Sequence, residues 1–365
     1  MAGGLFLDSD GLVKFRSAQT LVYSQVGESL LGCNFLTKSV FECSVEVIAF
    51  LGELQDWQDL DEVAGRMPEM SADEVRATID QLIEASAIVE QGSKLAQVEQ
   101  EFQSTWTWGL PTAMMHFCVQ DPDHMTLAES EALQRRKAAN GPQPALYRRN
   151  EGASLVQNLP DALQGNELLQ LMARRRTVRS AATPTITLRQ LSDCLFAGLG
   201  LTGSTQNVVG TLPLGMTPSG GARNPYEAYV YALNVDGLKP GFYHYSAHDH
   251  DLGLIETDRM PTLSELVGGQ DWADEMPCLI ILCATLGRTM WKYDDPNAYR
   301  VVLIEAGHIG QNIMLAATRN GLSACPTAAL NHSTIRECLS LKSLTDAPVY
   351  ALTLAVPGAE AGTGN

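Results

Sequence analysis

Three short stretches of this 365-residue chain carry side chains that could do chemistry. The first is Arg174-Arg175-Arg176-Thr177-Val178-Arg179, at the end of a helical stretch from Glu167 to Met172. Residues 170–190 hold five arginines and no acid, in a chain of formal charge −17. A guanidinium fork matches phosphate oxygens. A basic helix end complementing the helix dipole is the other account, and spacing alone leaves both open. The second is Met216-Thr217-Pro218-Ser219-Gly220-Gly221-Ala222-Arg223-Asn224-Pro225, which leads straight into an apolar strand. Glycines there let backbone come close to a flat ring, with N–H groups free to bond its heteroatoms. On spacing alone, a tight turn ahead of a strand accounts for it better. The third is Trp291-Lys292-Tyr293, followed by Tyr299-Arg300; by itself it reads as a surface lysine whose stem lies along its neighbours.

Other reactive residue types do not form a site. Glu305-x-x-His308 has the spacing of half a carboxylate di-iron centre, but the sequence has no second such motif. His244, His248 and His250 fall on a strand and the turn after it, which points them in different directions. No metal is expected. The eight cysteines (Cys33, Cys43, Cys118, Cys194, Cys278, Cys283, Cys325, Cys338) include no C-x-x-C pair, so neither a zinc ribbon nor a disulfide framework is indicated. Cys325 reads as a small packing thiol rather than a nucleophile.

The elements that must position these residues follow from periodicity. Phe41 to Leu54 has apolar residues at helical spacing, a short helix comes next at Leu60 to Met67, and Ser71 with Glu74 forms a capping box for a helix reaching Ala85. Ile88-Val89-Glu90 is a strand, with a turn at Gly92-Ser93. That order is winged helix-turn-helix-like. DNA is not the expected partner, because residues 41–94 carry thirteen acids against Arg66, Arg76 and Lys94. Residues 101–160 read as a connector packing on the C-terminal domain, with Trp106 and Trp108 buried between layers and a turn-rich Asn140-Gly141-Pro142-Gln143-Pro144. Beyond Leu168, strands Tyr226 to Leu233, Phe242 to Tyr245 and Cys278 to Ala284 alternate with helices, the longest from Ala298 to Asn320 with Gly321 as its C-cap. The class is α+β.

With these elements in place, the motifs resemble one family. Arg175-Arg176-Thr177-Val178-Arg179 resembles the R-R-[ST]-x-R phosphate motif of nitroreductase-fold flavoproteins, and Pro218-Ser219-Gly220-Gly221-Ala222-Arg223 resembles their P-S-[AG]-G-A-R motif. Gly241-Phe242-Tyr243-His244-Tyr245 is similar to the G-L-Y-H-Y segment of the SagB-type (McbC-like) azoline dehydrogenases. Leu303-Ile304-Glu305-Ala306-Gly307-His308-Ile309-Gly310-Gln311-Asn312 is similar to their L-I-E-A-G-H-x-x-Q-N helix. The resemblance covers roughly residues 170–357 and implies a nitroreductase-like fold, a central sheet flanked by helices, in a homodimer with FMN at the subunit interface. It assigns the phosphate to Arg175, Arg176, Thr177 and Arg179, and the isoalloxazine to Pro218, Ser219, Gly220, Gly221 and Arg223. It adds Gln311 and, in the loop after the long helix, backbone at Ala324, Thr327 and Ala328. Lys292 and Tyr293 match its catalytic pair: a lysine lowered in pKa by burial, or a tyrosine polarised by a lysine, could take the proton that leaves as an azoline aromatises.

The implied activity is oxidation of thiazoline or oxazoline rings in a ribosomally made, modified precursor peptide, beside a cyclodehydratase partner. Two alternatives stay open: another oxidoreductase of the same scaffold, including NAD(P)H-dependent nitro or quinone reduction, and a flavin-free docking scaffold. The expected division is residues 1–98, winged-helix-like and peptide-recognising or structural, then a connector at 99–165, then the FMN domain at 166–365. With no basic and apolar leader at Met1 to Asp10 and no long uncharged apolar run, a cytoplasmic protein is expected. The acidity argues against nucleic acid or anionic membrane as partner.

Overall fold

In the computed structural model, residues 13–122, 125–141, 166–208 and 210–358 are described. Pro142, Gln143 and Pro144 of the turn-rich stretch lie outside them. The chain divides into two compact units, residues 1–120 with Asp294–Pro296, and residues 121–293 with 297–365.

The first unit holds strands β1 (Lys14–Ser17), β2 (Leu21–Val26), β3 (Ser29–Asn34), β4 (Ser39–Cys43), β5 (Gln58–Asp59) and β6 (Ile88–Glu90). Its helices are α1 (Val45–Glu53), α2 (Leu60–Ala64), α3 (Ala72–Glu84), α4 (Lys94–Thr105) and α5 (Gly109–Cys118). The helix, short helix, capped helix and strand expected between residues 41 and 90 are present in that order. The Ser71–Glu74 box is closed in both directions, Ser71 N–H donating to Glu74 Oε2 at 2.8 Å and Glu74 N–H to Ser71 Oγ at 3.4 Å. Phe41, expected in the first helix, is in β4 instead. Its ring lies over Gly32 across the β3–β4 pair, and the helix waits for Ser44, whose hydroxyl caps Val47 N–H. The order β5-β1-β6 makes one antiparallel sheet, and β2-β3-β4 a meander that periodicity does not reveal.

Residues 99–120, read from sequence as part of a connector to the second half, belong to this first unit. Trp106 and Trp108 are both buried there, in a cluster with Phe35, Phe102, His116 and Phe117. The layers that cover them are α4, α5 and the chain around Phe35. Glu99 on α4 is fully buried and compensated: Arg16 lies 2.8 Å away, and Gln19 N–H and the Thr20 hydroxyl each donate to it at 2.8 Å.

The second unit begins with α6 (Leu127–Asn140), α7 (Glu167–Arg174), β7 (Ile186–Thr187), α8 (Leu188–Leu199), and a hairpin of β8 (Leu201–Asn207) and β9 (Gly210–Gly215). It continues through β10 (Tyr226–Ala232), β11 (Val235–Asp236), β12 (Gly241–Ser246), β13 (Asp251–Ile255), α9 (Leu263–Leu266), β14 (Cys278–Thr285) and α10 (Gly287–Met290). It ends with α11 (Asn297–Arg319), β15 (Ser323–Thr327), α12 (His332–Cys338) and β16 (Asp346–Ala355). Six of these strands form one antiparallel sheet in the order β13-β12-β10-β14-β16-β15.

The uniformly apolar β14 sits inside this sheet with every residue but its last buried, because both faces are covered. On one face Tyr231, Phe242, Leu279 and Ile281 pack with Leu263, Leu266, Ile335 and Leu339. On the other lie α8 and α11. By length and hydropathy alone α11 could cross a membrane, yet its buried residues, among them Val302, Ile309, Ile313 and Ala317, form a core face. It stops as its sequence predicts: Gly321 takes φ +72°, and Leu322 N–H turns back to Ala317 O at 2.8 Å.

Gly310 sets how closely α11 meets the sheet. A Cβ there would lie 2.5 Å from Cε1 of Tyr350 on β16. Gly310→Ala gains about 1 kcal/mol of helix propensity and loses about 1–3 kcal/mol to overpacking. A net loss of order 1 kcal/mol is expected in urea unfolding, and adding Tyr350→Ala should remove the steric part, giving a non-additive cycle.

Candidate active site

Residues 216–224 leave β9 and reach β10 through a backbone that a run of ordinary residues would resist. Gly221, Ala222 and Asn224 take φ of +62°, +52° and +44°, in the left-handed region. Local bonds hold the shape: the Ser219 hydroxyl accepts Asn224 N–H at 2.8 Å, and Ala222 N–H donates to Ser219 O at 3.0 Å. Its beginning is tied to two helices. Thr217 donates to Gly198 O on α8 at 2.7 Å and accepts from Asn312 of α11 at 2.9 Å.

Two more elements close on the loop. From α11, the Glu305 carboxylate accepts Gly220 N–H at 3.2 Å and is only 5% exposed. Burial raises its pKa above the ordinary carboxylate value, against the pull of the Ser219 hydroxyl and Gly220 N–H. From the other side, the turn after α10 lays Lys292 and Tyr293 directly on Gly221. A Cβ at Gly221 would stand 2.4 Å from the Tyr293 hydroxyl and 2.5 Å from Lys292 Nζ, and the ammonium lies 3.4 Å from Gly221 O. Arg223 in turn lies over the Trp291 ring, 5.2 Å from its centroid. The Trp-Lys-Tyr triplet and the glycine loop, about 70 residues apart in sequence, are thus one constellation. Lys292 is exposed, not buried as a lysine lowered in pKa to act as base would be.

The arginine run lies elsewhere on the same unit. Arg175 reaches Thr177 Oγ1 at 3.5 Å, and Arg176 donates to Ala173 O and Arg175 O at 2.7 and 2.8 Å. Arg179 lies over Trp272, 5.7 Å from the ring centroid, and beside Cys325, whose thiol burial raises and the guanidinium lowers. Among the described residues, none of Arg175, Arg176 and Arg179 forms an ion pair, whereas Arg189 nearby is paired with Asp193 at 2.9 Å. In a chain this acidic, three guanidinium groups without a carboxylate fit an anion such as a phosphate ester. Residues 323–327, read from sequence as part of a loop, form the edge strand β15 on β16. Thr327 Oγ1 accepts from Gln270 Nε2 and from Ala329 N–H, each at 3.1 Å, and Ala328 comes directly after the strand. Gln311 is half-buried on α11. The structure therefore joins Arg179 to β15, and Lys292 and Tyr293 to Gly221. The described hydrogen bonds and ion pairs do not join the two groups within one chain.

Beside the loop opens a cavity of about 330 Å³, walled by residues such as Leu199, Leu201, Pro213, Thr217, Tyr226 and Ile309. Its polar end holds Glu227, His244 and Arg288, with Glu305 also in the wall. Arg288 on α10 donates to Glu227 and, at 2.8 Å, to Asn224 O, while His244 lies 2.9 Å from the other Glu227 oxygen. Desolvation pushes the Glu227 carboxyl up, but the bonds from His244 and Arg288 outweigh it and hold it below the ordinary range. From spacing, His244 and Glu305 stand out only as metal-ligand types, and Glu227 and Arg288 do not stand out at all. The three histidines engage separate partners: His244 meets Glu227, His248 meets Asp249, and His250 bridges Ser192 and Tyr245. The available signal was Glu227, the first outward-facing acid in an otherwise apolar strand.

Comparison with known proteins gives this unit relatives. The nitroreductase family model matches residues 172–356. A protein of Methanocaldococcus jannaschii named as a nitroreductase is 31% identical over 52% of this chain and 92% of its own length. The trifolitoxin-processing protein TfxB of Rhizobium leguminosarum bv. trifolii is 31% identical over 38% of each chain. The microcin B17-processing protein McbC of Escherichia coli is 28% identical over 36% of this chain and 50% of its own. The chain thus spans half or less of the two processing proteins.

The raised Glu305 carboxyl makes a stability prediction. A folded-state pKa above the unfolded one means stability present at low pH and withdrawn as pH rises through the folded value. Glu305→Gln keeps an acceptor for Gly220 N–H. It should unfold at higher urea than the parent protein at neutral pH, with the difference closing near about pH 4.

Proposed function

The chain belongs to the nitroreductase family, and from that membership we propose that it is an FMN-dependent dehydrogenase, converting thiazoline or oxazoline rings of a ribosomally made, modified peptide to the corresponding azoles. Oxidoreductase chemistry is the family's. The substrate class is supported by the likeness to TfxB and McbC, both named for processing peptide products. The observation that carries the reading is the seat of Lys292 and Tyr293 on Gly221, whose missing Cβ leaves room for the two side-chain ends. That contact puts two proton-bearing groups against the loop proposed to take the flavin ring.

Aromatising an azoline removes one proton and one hydride from the ring. When bound, the flavin would accept the hydride. Arg175, Arg176, Thr177 and Arg179 would hold the phosphate, with backbone near Ala324, Thr327 and Ala328 beside Arg179. Pro218, Ser219, Gly220, Gly221 and Arg223, with Gln311, would border the ring. The proton falls to Lys292 Nζ or the Tyr293 hydroxyl, and Arg288 steadies the base of their turn by bonding Asn224 O. We further propose that the enzyme acts as a homodimer beside a cyclodehydratase, with the first unit serving peptide recognition or dimer stability.

A second reading, NAD(P)H-dependent reduction of nitro or quinone compounds, is favoured by the M. jannaschii relative, which matches over nearly its whole length. The two separate in one series of measurements. The purified protein should show the visible bands of oxidised flavin, and heat should release a chromophore with the mass of FMN. A peptide carrying one thiazoline should lose two hydrogens. Lys292→Ala should keep the flavin and lose at least about 100-fold in rate. Rapid nitroaromatic turnover with NADPH and no azoline oxidation would establish the second reading instead. A colourless protein that cannot be reconstituted with FMN would leave only a docking scaffold.

A further inference from the structure

The cavity beside the loop contains a histidine whose chemistry the proposed reaction does not use. Glu227, held ionised by Arg288 and His244, can only accept hydrogen bonds. The 2.9 Å contact therefore places a proton on Nε2 of His244, so that in the neutral imidazole Nδ1 carries the lone pair. Nδ1 has no hydrogen-bond partner among the described residues, and His244 lines the cavity with 39% of its side chain exposed. A carboxylate that fixes an imidazole tautomer and leaves the other nitrogen open toward a cavity is a prepared acceptor. The Tyr229 ring packs beside the imidazole, 5.3 Å between centroids.

The remaining wall is mostly apolar, through Leu199, Leu201, Pro213 and Ile309. The space thus suits a largely apolar group bearing one hydrogen-bond donor at its polar end. The cavity also shares Glu305 and Asn224 with the Ser219–Arg223 loop, so a ligand inside it lies beside the proposed reaction centre. We infer that this cavity is the recess for the ring-bearing segment of the peptide substrate, and that His244 Nδ1, oriented by Glu227, accepts a hydrogen bond from a backbone amide N–H flanking the ring. The inference rests on the azoline dehydrogenase reading for the identity of the ligand. It makes His244 a specificity residue and assigns Glu227 and Arg288 to positioning it.

Two substitutions separate the acceptor from the ring. Asparagine places an amide oxygen near the position of Nδ1; phenylalanine keeps a ring and removes the acceptor.

The test is calorimetric binding of a short synthetic peptide bearing one thiazole, which resembles the product and is not oxidised further, to the full-length protein as purified. At one fixed pH, His244→Phe should bind about tenfold more weakly than the unsubstituted protein. His244→Asn should keep most of the affinity. In nitrogen-resolved NMR, the peptide should shift Nδ1 of His244 while Nε2 keeps its proton. Unchanged affinity in His244→Phe, or a loss in His244→Asn as large as that in His244→Phe, would overturn the inference. Failure of a flavin-bearing protein to bind the peptide would overturn the recess assignment. Absence of flavin in the visible spectrum would instead overturn the reading beneath it, so the two failures are distinguishable.

Discussion

The second unit depends on a close approach: the loop before β10 passes between α11 and the turn after α10, and at Gly221 the ends of Tyr293 and Lys292 occupy the place of a side chain. Gly221 takes a left-handed φ, and a Cβ there would stand 2.4 Å from the Tyr293 hydroxyl and 2.5 Å from Lys292 Nζ. The glycine thus meets both a backbone and a packing demand, and its missing Cβ is what lets a lysine and a tyrosine come onto the loop. Glu305 works from the opposite side. Its buried carboxylate receives Gly220 N–H, at a desolvation cost a neutral acceptor would avoid. Structural economy alone would place glutamine there, so a carboxylate whose charge is costly is better explained by what the loop does than by how it is held.

Sheet and site share their elements. The two-sided burial of β14 fixes β10 on one side and β16 on the other. Position 227 then faces outward at the start of β10, and β12, the next strand, presents His244 to the same edge. Arg288 comes from the short helix directly after β14. Three residues far apart in sequence meet because consecutive and neighbouring strands end at one place. That is the usual reason a sheet's edge collects polar chemistry while its middle is hydrocarbon.

Much of this was legible in the sequence, and the reasons for the rest are specific. Long or capped elements announced themselves: α3 through Ser71 and Glu74, α11 through its periodicity and Gly321, β14 through its unbroken apolar run. Spacing alone left the arginines of residues 175–179 open and favoured a tight turn at 218–223; their resemblance to a family's motifs picked both out. The meander β2 to β4 was missed because its strands are half-exposed and short, and Phe41 went to a helix because a residue on Gly32 and a residue on a helix face look alike in one dimension. Residues 323–327 read as a loop because Cys325-Pro326-Thr327 carries turn residues; as an edge strand it tolerates proline, whose missing N–H is no loss where no further strand pairs. The cluster at Glu227 was invisible because tertiary pairing, not spacing, defines it.

Charge distribution ties the two ends of the problem together. Among the described residues, carboxylates pair with Arg16, Arg66, Arg76, Arg135, Arg189, Arg259 and Arg288. Arg175, Arg176 and Arg179, like Arg174, Arg223 and Arg319, join no ion pair there. Leaving guanidinium groups unpaired forfeits little at an exposed surface, where an ion pair contributes at most about 1 kcal/mol. Adding an acid there would contribute no more than that to folding, but it would compete directly with any phosphate for the same fork of donors. The absence of acids from residues 170–190 is therefore weak as an argument about stability and compatible with the phosphate seat proposed for these arginines. At Glu227 the logic is reversed: a carboxylate is supplied with both a guanidinium and an imidazole, and the one nitrogen left over opens onto the cavity. One site leaves its cations open to the anion proposed there, and the other holds the Nε2 edge of an imidazole on a carboxylate.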